Sequence, residues 1–413
     1  MSDEIAIIGI AGRFAMADSM EEFWNNLINK KECITRGSSQ KENFVKAKGI
    51  ISDIEQSVGE FFGLSEEESK YADPQLLALL QTSSEALEDS GHNFNDDSNV
   101  TGVYISTGSS FNWRRQVFDN GNFNYMEQQK FVHLMDEHYY SSQLSYRLNL
   151  KGPSLCIMAS CASSLVCIHQ ASQALLLNEC NIALAGGTYI DKTDENGYYY
   201  DPDSLYSPDG TCRALSTEAD GTVPGNGVGI VILKLYEDAV KDDDFIYGVI
   251  KGTAVNNDGT EKLNFAAPAI DGISEVVKTA MQIGEIKVGD MNFVETHGTG
   301  TKLGDLVEVE ALKESFNTEA KNFCLLGTLK PNIGYLEMAS GIASFLKATL
   351  AVYHKLYPAN INITQINNKL ELHTSPFMIK TENTVFHNRP VTGCVVAYAD
   401  GGTNVCILLQ SVE

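Results

Sequence analysis

A cysteine stands just ahead of an amphipathic helical run in Ala159-Ser160-Cys161-Ala162-Ser163-Ser164-Leu165, and a histidine stands in the loop Glu295-Thr296-His297-Gly298-Thr299-Gly300-Thr301. A thiol at the head of a helix is set to ionise, because the unpaired N–H groups and the dipole at that end favour the thiolate. Thiolates exchange readily with thioesters, and a developing oxyanion needs nearby N–H donors, so nucleophilic acyl transfer is the chemistry this pair suits. Cys156, Cys167 and Cys180 lack the helix-start setting and read as core thiols. The Gly298-Thr299-Gly300-Thr301 run lacks G-x-G-x-x-G spacing and no G-x-x-x-x-G-K-[ST] occurs, which argues against nucleotide binding.

Positioning these residues falls to alternating elements. Short apolar runs at residues 5–10, 102–105, 182–185, 229–233, 246–250, 323–326 and 395–397 read as buried strands. Apolar residues at helical spacing predict helices over 20–28, 76–90, 163–177, 274–283 and 339–354. The alternation predicts an α/β protein with buried sheets. Near the end, Asp400-Gly401-Gly402-Thr403-Asn404 between two apolar runs predicts a hairpin through a glycine turn. No linker-like segment divides the chain, so it reads as one unit, 1–413, with a seam at Asp242-Asp243-Asp244 and halves of 1–244 and 245–413.

With 413 residues, 43% of them hydrophobic, the chain can bury one large core or two packed halves. An acidic N-terminus and the lack of a long apolar run argue against export and membrane insertion. Nine scattered cysteines show neither disulfide nor zinc spacing, so reduced thiols, a cytoplasmic location and no metal are expected. The formal charge of −24 repels nucleic acid and anionic membranes. Met1, close to the first strand, suggests a discrete protein.

Many stretches in order resemble the ketosynthase (β-ketoacyl synthase) domain of polyketide synthases. These include Asp73-Pro74-Gln75, Gly152-Pro153-Ser154-Leu155, the Cys161 segment, Ser207-Pro208-Asp209-Gly210 and Thr222-Val223-Pro224-Gly225-Asn226-Gly227-Val228-Gly229. Asn256-Asn257-Asp258-Gly259, the His297 loop, Lys330-Pro331-Asn332-Ile333-Gly334-Tyr335 and Gly401-Gly402-Thr403-Asn404 continue the series. The resemblance implies a thiolase-like fold, two pseudo-duplicated halves stacked as a five-layered αβαβα sandwich. It makes Cys161 the nucleophile that takes an acyl chain from a carrier protein, His297 the first histidine, and Lys330 and Glu337 the lysine and glutamate of the next motif.

Three positions depart from the family pattern. Tyr335 replaces the second histidine; with a reference pKa of about 10 it keeps an O–H donor but cannot carry a histidine's charge. It reads either as a packed aromatic or as a donor. Asp400 replaces the gating phenylalanine whose backbone N–H joins that of Cys161 as the oxyanion hole, and Met158 stands where aspartate is common. Asp400 reads either as a solvated turn residue or as one that reshapes the pocket mouth. The resemblance further assigns Thr299, Thr301 and Asn332 to substrate binding and implies a homodimer. Phosphopantetheine is expected to arrive on the acyl carrier protein, with no cofactor of the chain's own. Carrier docking is assigned to Arg114, Arg115 and Lys302. The expected function is acyl transfer in polyketide biosynthesis alongside other synthase components, with impaired or altered decarboxylative Claisen condensation. The alternatives are a fully condensing enzyme using a malonyl carrier protein, or a silent partner like a chain-length factor.

Overall fold

The computed structural model describes residues 4–54, 56–92, 99–119, 125–192, 196–387 and 390–412. Among them, eleven strands join in one hydrogen-bonded sheet. They are β1 (Ile5–Arg13), β2 (Thr101–Thr107), β3 (Ser154–Cys156), β4 (Ile182–Tyr189), β5 (Gly227–Leu235), β6 (Gly248–Asn257), β7 (Met291–Glu295), β8 (Cys324–Gly327), β9 (Phe377–Ile379), β10 (Thr392–Tyr398) and β11 (Thr403–Gln410). Their spatial order is β9-β8-β7-β10-β11-β6-β1-β5-β4-β2-β3.

That order contains one pattern twice. Reading outward from β1, the pairings to β5, β4, β2 and β3 run antiparallel, antiparallel, parallel, parallel. Reading outward from β6, the pairings to β11, β10, β7 and β8 repeat that sequence, and β9 adds a parallel edge. The two half-sheets meet through a short antiparallel ladder that pairs Ile5 with Ile250, Ala6 with Val249 and Ile7 with Gly248.

Helices α1 (Pro74–Asp89), α2 (Ser163–Leu176), α3 (Ile270–Ile283), α4 (Gly304–Phe316), α5 (Lys330–Ile333) and α6 (Ser340–His354) complete the frame used below. Helix α1 covers β1 and β5 from outside, while α3 covers β6 and β11 with α4 beside it. Between the half-sheets, α2 and α6 pack on each other and each touches strands of both halves. This is the thiolase-like fold of two similar halves in five layers. Buried on both faces, the strands must be apolar throughout, and β1 shows the period of two: Ile5 and Ile7 face the central helices, Ala6 and Ile8 the α1 side.

Local chemistry explains the boundaries. Asp73 caps α1 by accepting from Gln75 N at 2.8 Å, with Pro74 in the first turn, so that helix starts earlier than residue 76. The predicted terminal hairpin is present as β10 and β11, closed by Gly401 and Gly402 at φ of 85° and 87°. Helix α4 escaped the sequence pattern because its Asp305 and Glu308 are buried, where acidic residues read as a solvent face. Among the described residues no helix is long and apolar enough to cross a membrane.

Candidate active site

Cys161 lies two residues ahead of α2, whose first residue is Ser163, and Ser160 before it holds a left-handed backbone at φ 50°. For a non-glycine residue that conformation costs energy and recurs at functional sites. It turns the thiol into a cavity of about 360 Å³ also lined by His297, Thr299, Thr301, Tyr335, Glu337, Tyr398 and Asp400. The Tyr335 hydroxyl donates a hydrogen bond to Cys161 Sγ. Cys161 Sγ in turn donates to Glu337 Oε2 at 3.8 Å, and Ser160 Oγ lies 3.5 Å away.

These contacts correct the expectation of a preformed thiolate. Burial pushes the Cys161 thiol above its ordinary 9.0, the Glu337 carboxylate pushes it further, and Asp400 adds to the rise. The donor bonds from Tyr335 and Ser160 pull the other way without reversing it. The helix-start effect is outweighed because the sulfur is buried, and buried beside two carboxylates.

The second half of the chain supplies the rest of the cavity. The backbone N–H groups of His297 and Gly298 donate to the two oxygens of Glu308 at 2.6 and 2.9 Å, which fixes the histidine loop on α4. Asp305 likewise holds Gly300 N and Leu215 N at 3.1 and 2.6 Å. Burial raises Glu308 to about 7 and Asp305 to about 6. Buried Lys330, at the start of α5, donates to the His297 carbonyl and lies 5.4 Å over the Tyr335 ring. Burial lowers the Lys330 pKa, countered by the Glu308 charge.

His297 is buried, and burial together with Lys330 drives its pKa well below 6.5, so the imidazole is neutral. Its ring packs on Tyr398 at 4.5 Å and edge-on to Tyr335 at 6.0 Å between centroids. Among the described residues no hydrogen bond joins that ring to Cys161. Tyr335 is pinned by its backbone, donating to Val223 O at 2.7 Å and accepting from Gly225 N at 2.9 Å, which explains the glycine-rich 222–229 segment. Asn404 ties the hairpin turn down by donating to Asp258 at 2.6 Å and Asn256 at 3.0 Å. Asp400 is thereby held at the mouth, its own backbone N–H without an acceptor among the described residues.

Two halves of a domain family cover most of this sequence. The model for the Beta-ketoacyl synthase N-terminal domain matches residues 2–239, and that for the C-terminal domain matches residues 247–364. The chain belongs to the β-ketoacyl synthase family. Members of that family are acyltransferases, and ketosynthase domains of modular polyketide synthases resemble this chain over its full length. The ketosynthase twelve of the bacillaene polyketide synthase of Bacillus amyloliquefaciens superposes with a TM-score of 0.94 at 29% identity, covering 100% of this chain and 75% of that one. The module 1 ketosynthase of the bacillaene synthase of strain FZB42 gives 0.92 at 34%, covering 100% and 76%. A phenolphthiocerol/phthiocerol polyketide synthase protein of Mycobacterium tuberculosis is 34% identical across 98% of this chain, which spans only 29% of that protein's length.

In this ketosynthase the fold brings Cys161, His297, Tyr335, Thr299, Thr301 and Asp400 to one cavity, with Lys330 behind it. The Thr299 and Thr301 hydroxyls lie 3.3 Å apart on its wall. Asn332 is not brought there: its side chain donates to the Lys31 carbonyl at 3.1 Å, fastening α5 to residues 31–33. Arg114 is engaged with Asp136 at 3.2 Å, Arg115 lies over the Phe111 ring, and Lys302 is exposed beside the mouth. The cavity wall at Leu205, Asn264, Ala266, Ala267, Pro268 and Leu303 was not foreseen, although 264–268 follow the Asn256-Asn257-Asp258-Gly259 motif closely. Nor was the direction of Glu337, which depends on a left-handed backbone at φ 45°.

Proposed function

We propose that this ketosynthase accepts an acyl chain on Cys161 from a carrier-protein thioester and passes it to an acceptor, with decarboxylative condensation impaired or altered. The observation that carries this reading is the Tyr335 hydroxyl hydrogen-bonded to Cys161 Sγ, where the sequence resemblance expects the second histidine. A neutral phenol supports a bound thioester, whereas decarboxylation builds an enolate whose charge a phenol of raised pKa stabilises poorly. A carboxylate at Asp400 beside the same sulfur opposes that anion further.

In this reading Lys330 keeps the His297 loop and Tyr335 in register, and Thr299 and Thr301 hydrogen-bond the pantetheine arm. The backbone N–H groups of Cys161 and Asp400 form the oxyanion hole. The partners are an acyl carrier protein, other synthase components and a second copy in a cytoplasmic homodimer. A homodimer fits the sheet edge, where β3 is paired on one side only among the described residues and Leu155 and Met158 are 45% and 52% exposed. Intact-protein mass spectrometry of the enzyme and Cys161→Ala with acyl thioesters, then a malonyl carrier with carbon dioxide followed, tests the proposal. Acylation at Cys161 without carbon dioxide release is expected. Release with a β-ketoacyl product would show a full condensing enzyme, and no acylation by any thioester would point to a silent partner.

A further inference from the structure

The Cys161 pocket holds a carboxylate that the reaction scheme above leaves idle. Glu337 opens a short turn ahead of α6 with a left-handed backbone, an arrangement that a non-glycine residue keeps only when its surroundings enforce it. Its Oε2 accepts from Cys161 Sγ at 3.8 Å. The groups facing it are Cys161, Tyr335, Asp400, Tyr206, Tyr189 and, further behind, Lys330. Among the described residues no arginine lines this cavity and no lysine reaches its wall, so nothing neutralises the carboxylate by contact. Among the described residues His297, the obvious proton acceptor, has no hydrogen bond to the sulfur.

We propose that Glu337 is a catalytic residue, the general base that takes the Cys161 thiol proton and returns it to the leaving thiol. This rests on the acyl-transfer reading above. As the S–H proton passes to Glu337 Oε2, the freed sulfur pair forms an S–C bond to the thioester carbonyl carbon, and the carbonyl π pair moves onto oxygen. Collapse of that oxyanion breaks the bond to the pantetheine sulfur, which leaves as thiolate and takes the proton from Glu337. Return of the acyl group to another carrier thiol runs the same path backwards. Tyr335, donating to Cys161 Sγ, stabilises the negative charge that builds on the sulfur as its proton leaves. Burial raises Glu337 above the usual carboxylate range, which strengthens it as a base.

Two readouts on Glu337→Gln test this, each with Cys161→Ala as blank. Iodoacetamide alkylation of Cys161 against pH reports the thiol without any acyl substrate. Acyl exchange with a small pantetheine thioester reports the proton step. Removing the carboxylate charge shifts the alkylation midpoint to lower pH, so neutral-pH alkylation quickens while acyl exchange slows about a hundredfold or more. Glu337→Asp keeps the charge but withdraws the oxygen, so it keeps the high midpoint and still slows exchange, which covers a glutamine variant that fails to fold. An unmoved midpoint, or exchange within threefold of the parent enzyme, overturns the proposal. A parent enzyme with the Glu337-dependent midpoint that accepts no acyl group overturns the acyl-transfer reading and the proton step with it, while the thiol–carboxylate contact stands.

Discussion

The Tyr335 hydroxyl hydrogen-bonds to the sulfur of Cys161, and its consequences can be measured there. Because the Cys161 pKa lies above 9.0, alkylation is slow at neutral pH and climbs through pH 9 and beyond, the thiolate being the reacting form. Tyr335→Phe removes a donor to that anion; a hydrogen bond to a charged group contributes about 1.5–3 kcal/mol, so the midpoint rises by roughly one pH unit or more. Asp400→Asn moves it the opposite way, since it deletes a charge that opposes ionisation. Tyr335→His restores an imidazole and raises carbon dioxide release from a malonyl carrier about tenfold or more, seen in a radiolabel assay. That Cys161 and His297 line one cavity was legible in the sequence because motif order carries them. The thiol's protonation state was not, since it depends first on burial and then on Glu337 and Asp400, which lie far from Cys161 in sequence and reach it only through the fold.

At the scale of elements, the pocket depends on how closely α2 and α6 approach. A Cβ on Gly341 would sit 2.7 Å from Leu165 Cγ and 2.9 Å from Ser164 Oγ, whose hydroxyl accepts from Ile342 N at 2.9 Å. Gly341→Ala therefore overpacks the junction directly behind Cys161 and destabilises by about 1–3 kcal/mol in urea unfolding. Helix α6 also carries Lys347, which with Tyr357 meets Glu295 at the end of β7; the ion pair is 2.7 Å long, with side chains 2% and 0% exposed. Lys347→Met leaves a buried carboxylate uncompensated beside the His297 loop and costs about 3–5 kcal/mol, read from the same unfolding curves. Both helices were readable from apolar spacing, but this pair was not: a buried lysine on an otherwise apolar helix looks like its solvent edge until its partner strand is in place.

For the whole molecule, the charge of −24 sets the terms of any meeting with an acidic carrier. Lys302, exposed between cavity residues Thr301 and Leu303, has no ion pair among the described residues. Lys302→Glu should raise KM for a carrier-borne thioester severalfold and leave a small pantetheine thioester unaffected, as steady-state kinetics on both substrates will report. The duplicated strand order gives this scale its sharpest consequence. Cys161 comes from the first repeat, whereas His297, Tyr335, Glu337 and Asp400 all come from the second, on loops beyond the three-pair ladder that joins β1 to β6. During synthesis, a chain extended as far as Asp244 carries Cys161 with none of these four partners made. The thiol is thus made first and its pocket last: until the second repeat folds, Cys161 stands without the carboxylate and the hydroxyl that meet it in the finished site.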